Sequence, residues 1–89
     1  MWINPCIKVE FYDDNDELVF TGQQTIDMEE YNEVYDEDVF FGRLALYLLN
    51  CKYYYRIHDT HIRKVVFYFD GRVIEEEDLY WNGEEYLFI

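Results

Sequence analysis

Between residues 9 and 42 the chain carries twelve aspartates and glutamates and not one lysine, arginine or histidine. That stretch holds no cation to pair with its own acids. Segregation of this kind usually gives one surface a strong field of one sign, and a fold that brings bases from elsewhere in the chain against it would weaken that field. The fold is then dictated by the apolar residues spaced between the acids. Those are abundant: 51% of the 89 residues are hydrophobic and 21% are aromatic, with ten Tyr, seven Phe and two Trp. A disordered acidic tail lacks such residues. A single acidic globular domain over residues 1–89 is expected, since a chain of this length has room for one core.

The remaining charge is also segregated. Residues 43–72 hold six Lys and Arg against two acids, Asp59 and Asp70, and residues 73–89 hold six acids and no base. The formal net charge is −13. Such a charge favours solubility and a monomer, although a homodimer through an exposed last strand is compatible with the pattern. It opposes direct contact with nucleic acid or an anionic membrane, both of which are polyanions. The expected partner is a basic protein. No segment offers the roughly 20 apolar residues that a membrane helix needs. The first residues lack the basic region and apolar run of a signal peptide. A cytoplasmic protein is expected, with Cys6 and Cys51 reduced and buried.

Periodicity outlines the elements. Ile7, Val9 and Phe11 alternate with Lys8, Glu10 and Tyr12, which predicts a half-buried strand over 6–12. Asp13, Asp14, Asn15 and Asp16 form a turn cluster, and 17–21 predicts a second strand with Leu18 and Phe20 inward and Gly22 at its end. Asp27 and Glu30 have capping-box spacing ahead of a helix from Met28. Met28, Tyr31, Val34 and Tyr35 fall on one side of it, with Glu29, Glu30, Glu33, Asp36 and Glu37 on the other. Phe41, Leu44, Ala45 and Leu48 continue helical spacing to about residue 50. One bent helix or two consecutive ones follow, with Gly42 as the weak point. From Tyr53 the period becomes two through Tyr55 and Ile57, which predicts a strand. Another strand covers 62–69. Asp70-Gly71 and Asn82-Gly83 are hairpin signals. The fold class is α+β: an N-terminal β-hairpin, one or two central helices, and a C-terminal antiparallel meander forming a single sheet with helix on one face.

Signals for chemistry are few. There is no serine, hence no serine nucleophile. His58 and His61 flank a turn and match no zinc spacing, even with Cys51. Asp13, Asn15 and Glu17 open like a calcium loop. Leu18 and Gln24 then stand where that loop needs Gly and Glu. No phosphate loop is present. No catalytic residue, metal ligand or cofactor is assigned, and a non-enzyme is expected.

Three acidic clusters are the candidate partner-binding residues. The first is Asp13, Asp14, Asp16 and Glu17. The second is Glu29, Glu30, Glu33, Asp36, Glu37 and Asp38. The third is Glu75, Glu76, Glu77 and Asp78. Singly they read as a polar turn, a solvated helix face and a charged strand edge. Together, with almost no interleaved Lys, they depart from ordinary mixed surfaces. Helix neighbours three or four apart lie about 5–6 Å from each other. That is close to the phosphate spacing of a nucleic-acid strand, so the carboxylates suit a cationic groove that normally holds one. Tyr12, Tyr54 and Tyr80 suit the places where bases stack.

In size, charge and compact α+β build the chain resembles small phage-encoded inhibitors of host defence, the DNA-mimicking anti-restriction and anti-CRISPR proteins. They share no diagnostic motif, so no residue role is carried over. The resemblance implies an inhibitor in the host-cell cytoplasm that covers the nucleic-acid-binding surface of a basic protein or nuclease complex. The alternative is an immunity protein or antitoxin that neutralises a basic nuclease toxin.

Overall fold

A computed structural model describes residues 4–34, 36–57 and 59–88. Two antiparallel strands, β1 (Cys6–Asp13) and β2 (Leu18–Thr25), lead into two helices, α1 (Met28–Glu33) and α2 (Glu37–Tyr47). A π-helical segment (Leu48–Lys52) and a short helix, α3 (Tyr54–Ile57), follow. Strands β3 (Ile62–Phe69), β4 (Arg72–Trp81) and β5 (Tyr86–Phe88) complete one five-stranded sheet of order β2-β1-β3-β4-β5. Every pairing is antiparallel. The N-terminal hairpin thus docks beside the C-terminal meander through β1 and β3. None of the described helices is long and apolar enough to cross a membrane.

The core lies between one sheet face and the helices. Ile7, Val9 and Phe11 of β1, Val65 and Phe67 of β3, and Leu79 of β4 are buried against Phe41, Ala45, Leu48 and Leu49. Aromatic rings tie the helical layer down at two places. Phe41 packs on Phe67 at 5.0 Å, and Tyr31 meets Phe40 edge-on at 5.2 Å. Tyr53 contacts Phe20 at 5.0 Å and Phe11 at 5.7 Å. Such pairs add about 0.5–1.5 kcal/mol each beyond area burial.

The alternation over 6–12 and the amphipathic helical stretch are as the pattern predicts. The helix is broken, but at Val34 and not at Gly42. Asp27 caps α1 by accepting from the Glu29 N–H, and Asp36 caps α2 by accepting from the Asp38 N–H, each at 2.9 Å. Two cap signals nine residues apart therefore make two helices, and the Asp27–Glu30 capping box is replaced by a bond to Glu29. Gly42 sits inside α2 because Phe88 presses on it: a Cβ there would lie 2.5 Å from the Phe88 ring. Tyr35 lies outside the described residues.

Several expectations change. Residues 53–57 are not a strand: Tyr53 caps the π-helical segment and Tyr54–Ile57 form α3. Strand β2 does not stop at Gly22. It runs through it to Thr25, because the missing side chain leaves room for Tyr53, whose Oη would lie 2.7 Å from a Cβ. Leu18 is exposed, since a bulge opposite Phe11 and Tyr12 turns Val19 toward the core in its place. Both cysteines are free and exposed. Asp70-Gly71 is the expected two-residue turn, with φ of 53° and 78°, as a type I′ turn requires. Asn82-Gly83 instead opens a four-residue connection, in which Asn82 Oδ1 accepts from the Glu84 and Glu85 N–H groups at 2.8 Å.

Candidate functional site

The fold sorts the three acidic clusters into different roles. In the first, Asp13 is a turn builder: its Oδ1 accepts from the Asn15 and Glu17 N–H groups at 2.9 Å. Asp16 lies 3.7 Å from Lys64 Nζ. Asp14 and Glu17 are exposed at the hairpin tip. Lys64 links this cluster to the third, since its register partner on β4 is Asp78.

The second and third clusters meet. Asp38 in the first turn of α2 faces Glu75 and Glu77 of β4, with one carboxylate oxygen of each within 4.8 Å of the others. Both elements are needed for this. Residues 75 and 77 pair with Phe67 and Val65, so their side chains share the helix-covered sheet face. The intervening Glu76 and the following Asp78 are exposed and pair with Val66 and Lys64, which places them on the other face. The α2 N-terminus then arrives over β4 carrying Glu37 and Asp38, where a helix dipole favours negative charge. Glu37 is held by the Tyr31 hydroxyl, which donates to its Oε1. Glu29, Glu30 and Glu33 are exposed on α1. Glu30 and Glu33 rim a groove of about 650 Å³ between α1 and α2, floored by Val34, Phe40 and Leu44 and containing Arg43.

The Asp38–Glu75–Glu77 group is electrostatically strained. No Lys or Arg among the described residues lies within ion-pair distance of it. Like charges about 5 Å apart repel by roughly 1–3 kcal/mol per pair, between the limits for water and for a protein surface. The proton affinities follow. Burial, then the contact with Asp38, raises the Glu75 carboxyl above the ordinary range. Burial first, then the charges of Glu75, Asp38 and Asp78, pushes Glu77 up to about 7. Chemically, three convergent oxygens can accept a guanidinium or ammonium group. They also fall within reach of one divalent cation, whose remaining ligands water would supply.

A second constellation was not singled out from the sequence. On the helix-free sheet face Glu10 is 8% exposed, the one buried acid among the described residues. Its carboxylate accepts from Tyr12 Oη at 2.8 Å and lies 3.2 Å from Lys8 Nζ. The Tyr12 hydrogen bond holds Glu10 below the usual carboxylate range, and the same bond pushes the Tyr12 phenol up. Lys8 and Lys64 lie over the rings of Tyr68 and Tyr12 at 5.5 and 5.2 Å. The alternation of Lys8, Glu10 and Tyr12 was the available signal, since those side chains share a face. This network satisfies itself, and it commits Tyr12 to Glu10 and Lys64. Tyr54 stacks edge-on with Tyr55 at 5.4 Å, and Tyr80 is 45% exposed. His61 packs on Trp81 at 6.3 Å, and His58 lies outside the described residues.

Comparison with protein-family models, with curated proteins and with solved structures finds no match.

Proposed function

We propose that this chain is a non-catalytic binding protein whose acidic surface occupies the cationic, nucleic-acid-binding surface of a target protein, as a mimic of the nucleic acid. The observation that carries the reading is the Asp38–Glu75–Glu77 group. Two elements distant in sequence bring three carboxylates together, with no Lys or Arg among the described residues within ion-pair distance of them. An arrangement that costs folding energy is expected where function requires it. Cationic side chains of a partner relieve that repulsion on binding. Glu76 and Asp78 on the adjoining edge, and Glu29, Glu30 and Glu33 on α1, extend the negative surface around it.

The test is the variant Asp38→Asn/Glu75→Gln/Glu77→Gln. It is expected to melt at a higher temperature than the wild type at pH 7.5, because the repulsion is gone. It is also expected to lose at least tenfold in the amount of basic protein it retains from host-cell lysate at 0.15 M salt. A variant that is more stable and retains the same protein equally well would remove the group from the interface. Stabilisation of the wild type alone by millimolar calcium or magnesium, without effect on retention, would assign the group to cation binding instead.

A further inference from the structure

We infer that the chain pairs with a second copy of itself through the outer edge of β2. Residues Leu18–Thr25 read LVFTGQQT and contain no charge, in a chain of net charge −13. β2 is an outer strand of the sheet. An uncharged outer strand is a template for another strand unless something blunts it.

The other free edges are blunted. The part of β4 that lacks β5 as a neighbour carries Glu75, Glu76, Glu77 and Asp78. On β5 the Asn50 side chain takes both backbone groups of Tyr86: its Nδ2 donates to the carbonyl at 3.3 Å and its Oδ1 accepts from the N–H at 2.9 Å. At the far end of β2 the Gln23 carbonyl accepts from Lys52 Nζ at 3.3 Å and Tyr53 Oη at 3.1 Å. Among the described residues no such device covers 18–22.

The backbone there points outward. Ile26 N–H donates to the Pro5 carbonyl at 2.8 Å, which marks 5 and 26 as a hydrogen-bonded pair. Counting in twos along the register, Gln24, Gly22 and Phe20 address β1. Gln23 and Thr21 therefore face away, and the capped Gln23 carbonyl agrees. The Thr21 N–H and carbonyl are left for a strand outside the chain.

Charge selects a second copy as the occupant. The acidic turn with Asp14, Asp16 and Glu17 precedes β2; near its other end Lys52 stands at Gln23 and Gln24, and Arg43 shares a groove with Gln24, Glu30 and Glu33. Antiparallel pairing about a two-fold axis near Phe20 lays the acidic turn of each copy against Lys52 of the other. The repulsive Glu75–Glu77 cluster is three strand spacings away, about 14 Å. That exceeds the Debye length of about 8 Å at 0.15 M salt.

The test is light scattering on the purified chain from about 10 to 500 μM at 0.15 M salt. The mass should climb from 11.1 kDa toward twice that value. Thr21→Pro removes the outward N–H and leaves the β1 ladder untouched, so it should weaken dimerisation at least tenfold with an unchanged circular dichroism spectrum. Lys52→Glu should weaken it similarly, and adding Glu17→Lys in the same chain should restore it. Hydrogen exchange at the wild-type Thr21 amide should slow as concentration rises, which keeps the inference testable should the proline variant unfold. A constant monomer mass, a Thr21 amide that exchanges at one rate throughout, or dimers indifferent to these substitutions would overturn it.

Discussion

Glu77 and Glu10 titrate in opposite senses, and the stability profile of the chain follows from the pair. Glu77 is raised to about 7 in the folded chain by burial and by Glu75, Asp38 and Asp78. A raised folded value contributes stability that is complete below the unfolded value and is lost as pH rises through the folded one. Glu75 adds to the same trend. Glu10 is lowered by Tyr12, so its contribution is present above the unfolded value and is lost on further acidification. The melting temperature is therefore expected to peak at about pH 4–4.5, to fall as pH rises to about 7, and to fall again on further acidification. Calorimetric scans at half-unit pH steps check this. Glu77→Gln should flatten the limb above the peak and leave the acid limb in place. Of these groups, the helical arc of acids was legible in the residue pattern. The convergence of Asp38 with Glu75 and Glu77 was not, because it depends on which sheet face residues 75 and 77 occupy.

The elements that sequence periodicity describes best are those whose partners are local. The β3–β4 turn needs only Asp70-Gly71, whose positive φ values are favourable for those residues. The two helices begin where Asp27 and Asp36 can cap them. Asp36→Ala should cost about 1 kcal/mol of stability in urea titration. Residues 53–57 misled because Tyr side chains suit a buried or a wet face equally, so alternation with Lys52, Tyr54 and Arg56 looks like a strand. Long-range contacts decide the outcome: Tyr53 packs on Phe11 and Phe20, and Asn50 bonds to Tyr86. Gly22 belongs to the same arrangement. Gly22→Ala places a Cβ 2.7 Å from Tyr53 Oη and should destabilise the chain by about 1–3 kcal/mol. It should also loosen Tyr53, read as a rise in its hydrogen–deuterium exposure. An unchanged unfolding midpoint would mean that the ring yields without cost.

At the scale of the whole molecule, charge and topology act together. The order β2-β1-β3-β4-β5 sets the uncharged edge of β2 and the acidic side at β4 well apart. Lys8 and Lys64 are paired within the chain, with Glu10 and Asp16. The α1, α2 and β4 acids are left to act outward. A surface of this kind steers a basic partner from a distance, so its association rate should drop at least tenfold between about 50 and 500 mM salt. Composition already pointed to a basic partner, while the place on the molecule required the fold. The most direct measurement of the central claim is competition: the affinity of the chain for a purified target, determined with and without the nucleic acid that the target binds. Nucleic-acid mimicry predicts mutually exclusive binding, with the apparent dissociation constant rising in proportion to nucleic-acid concentration. A ternary complex, or an affinity unmoved by saturating nucleic acid, would contradict it.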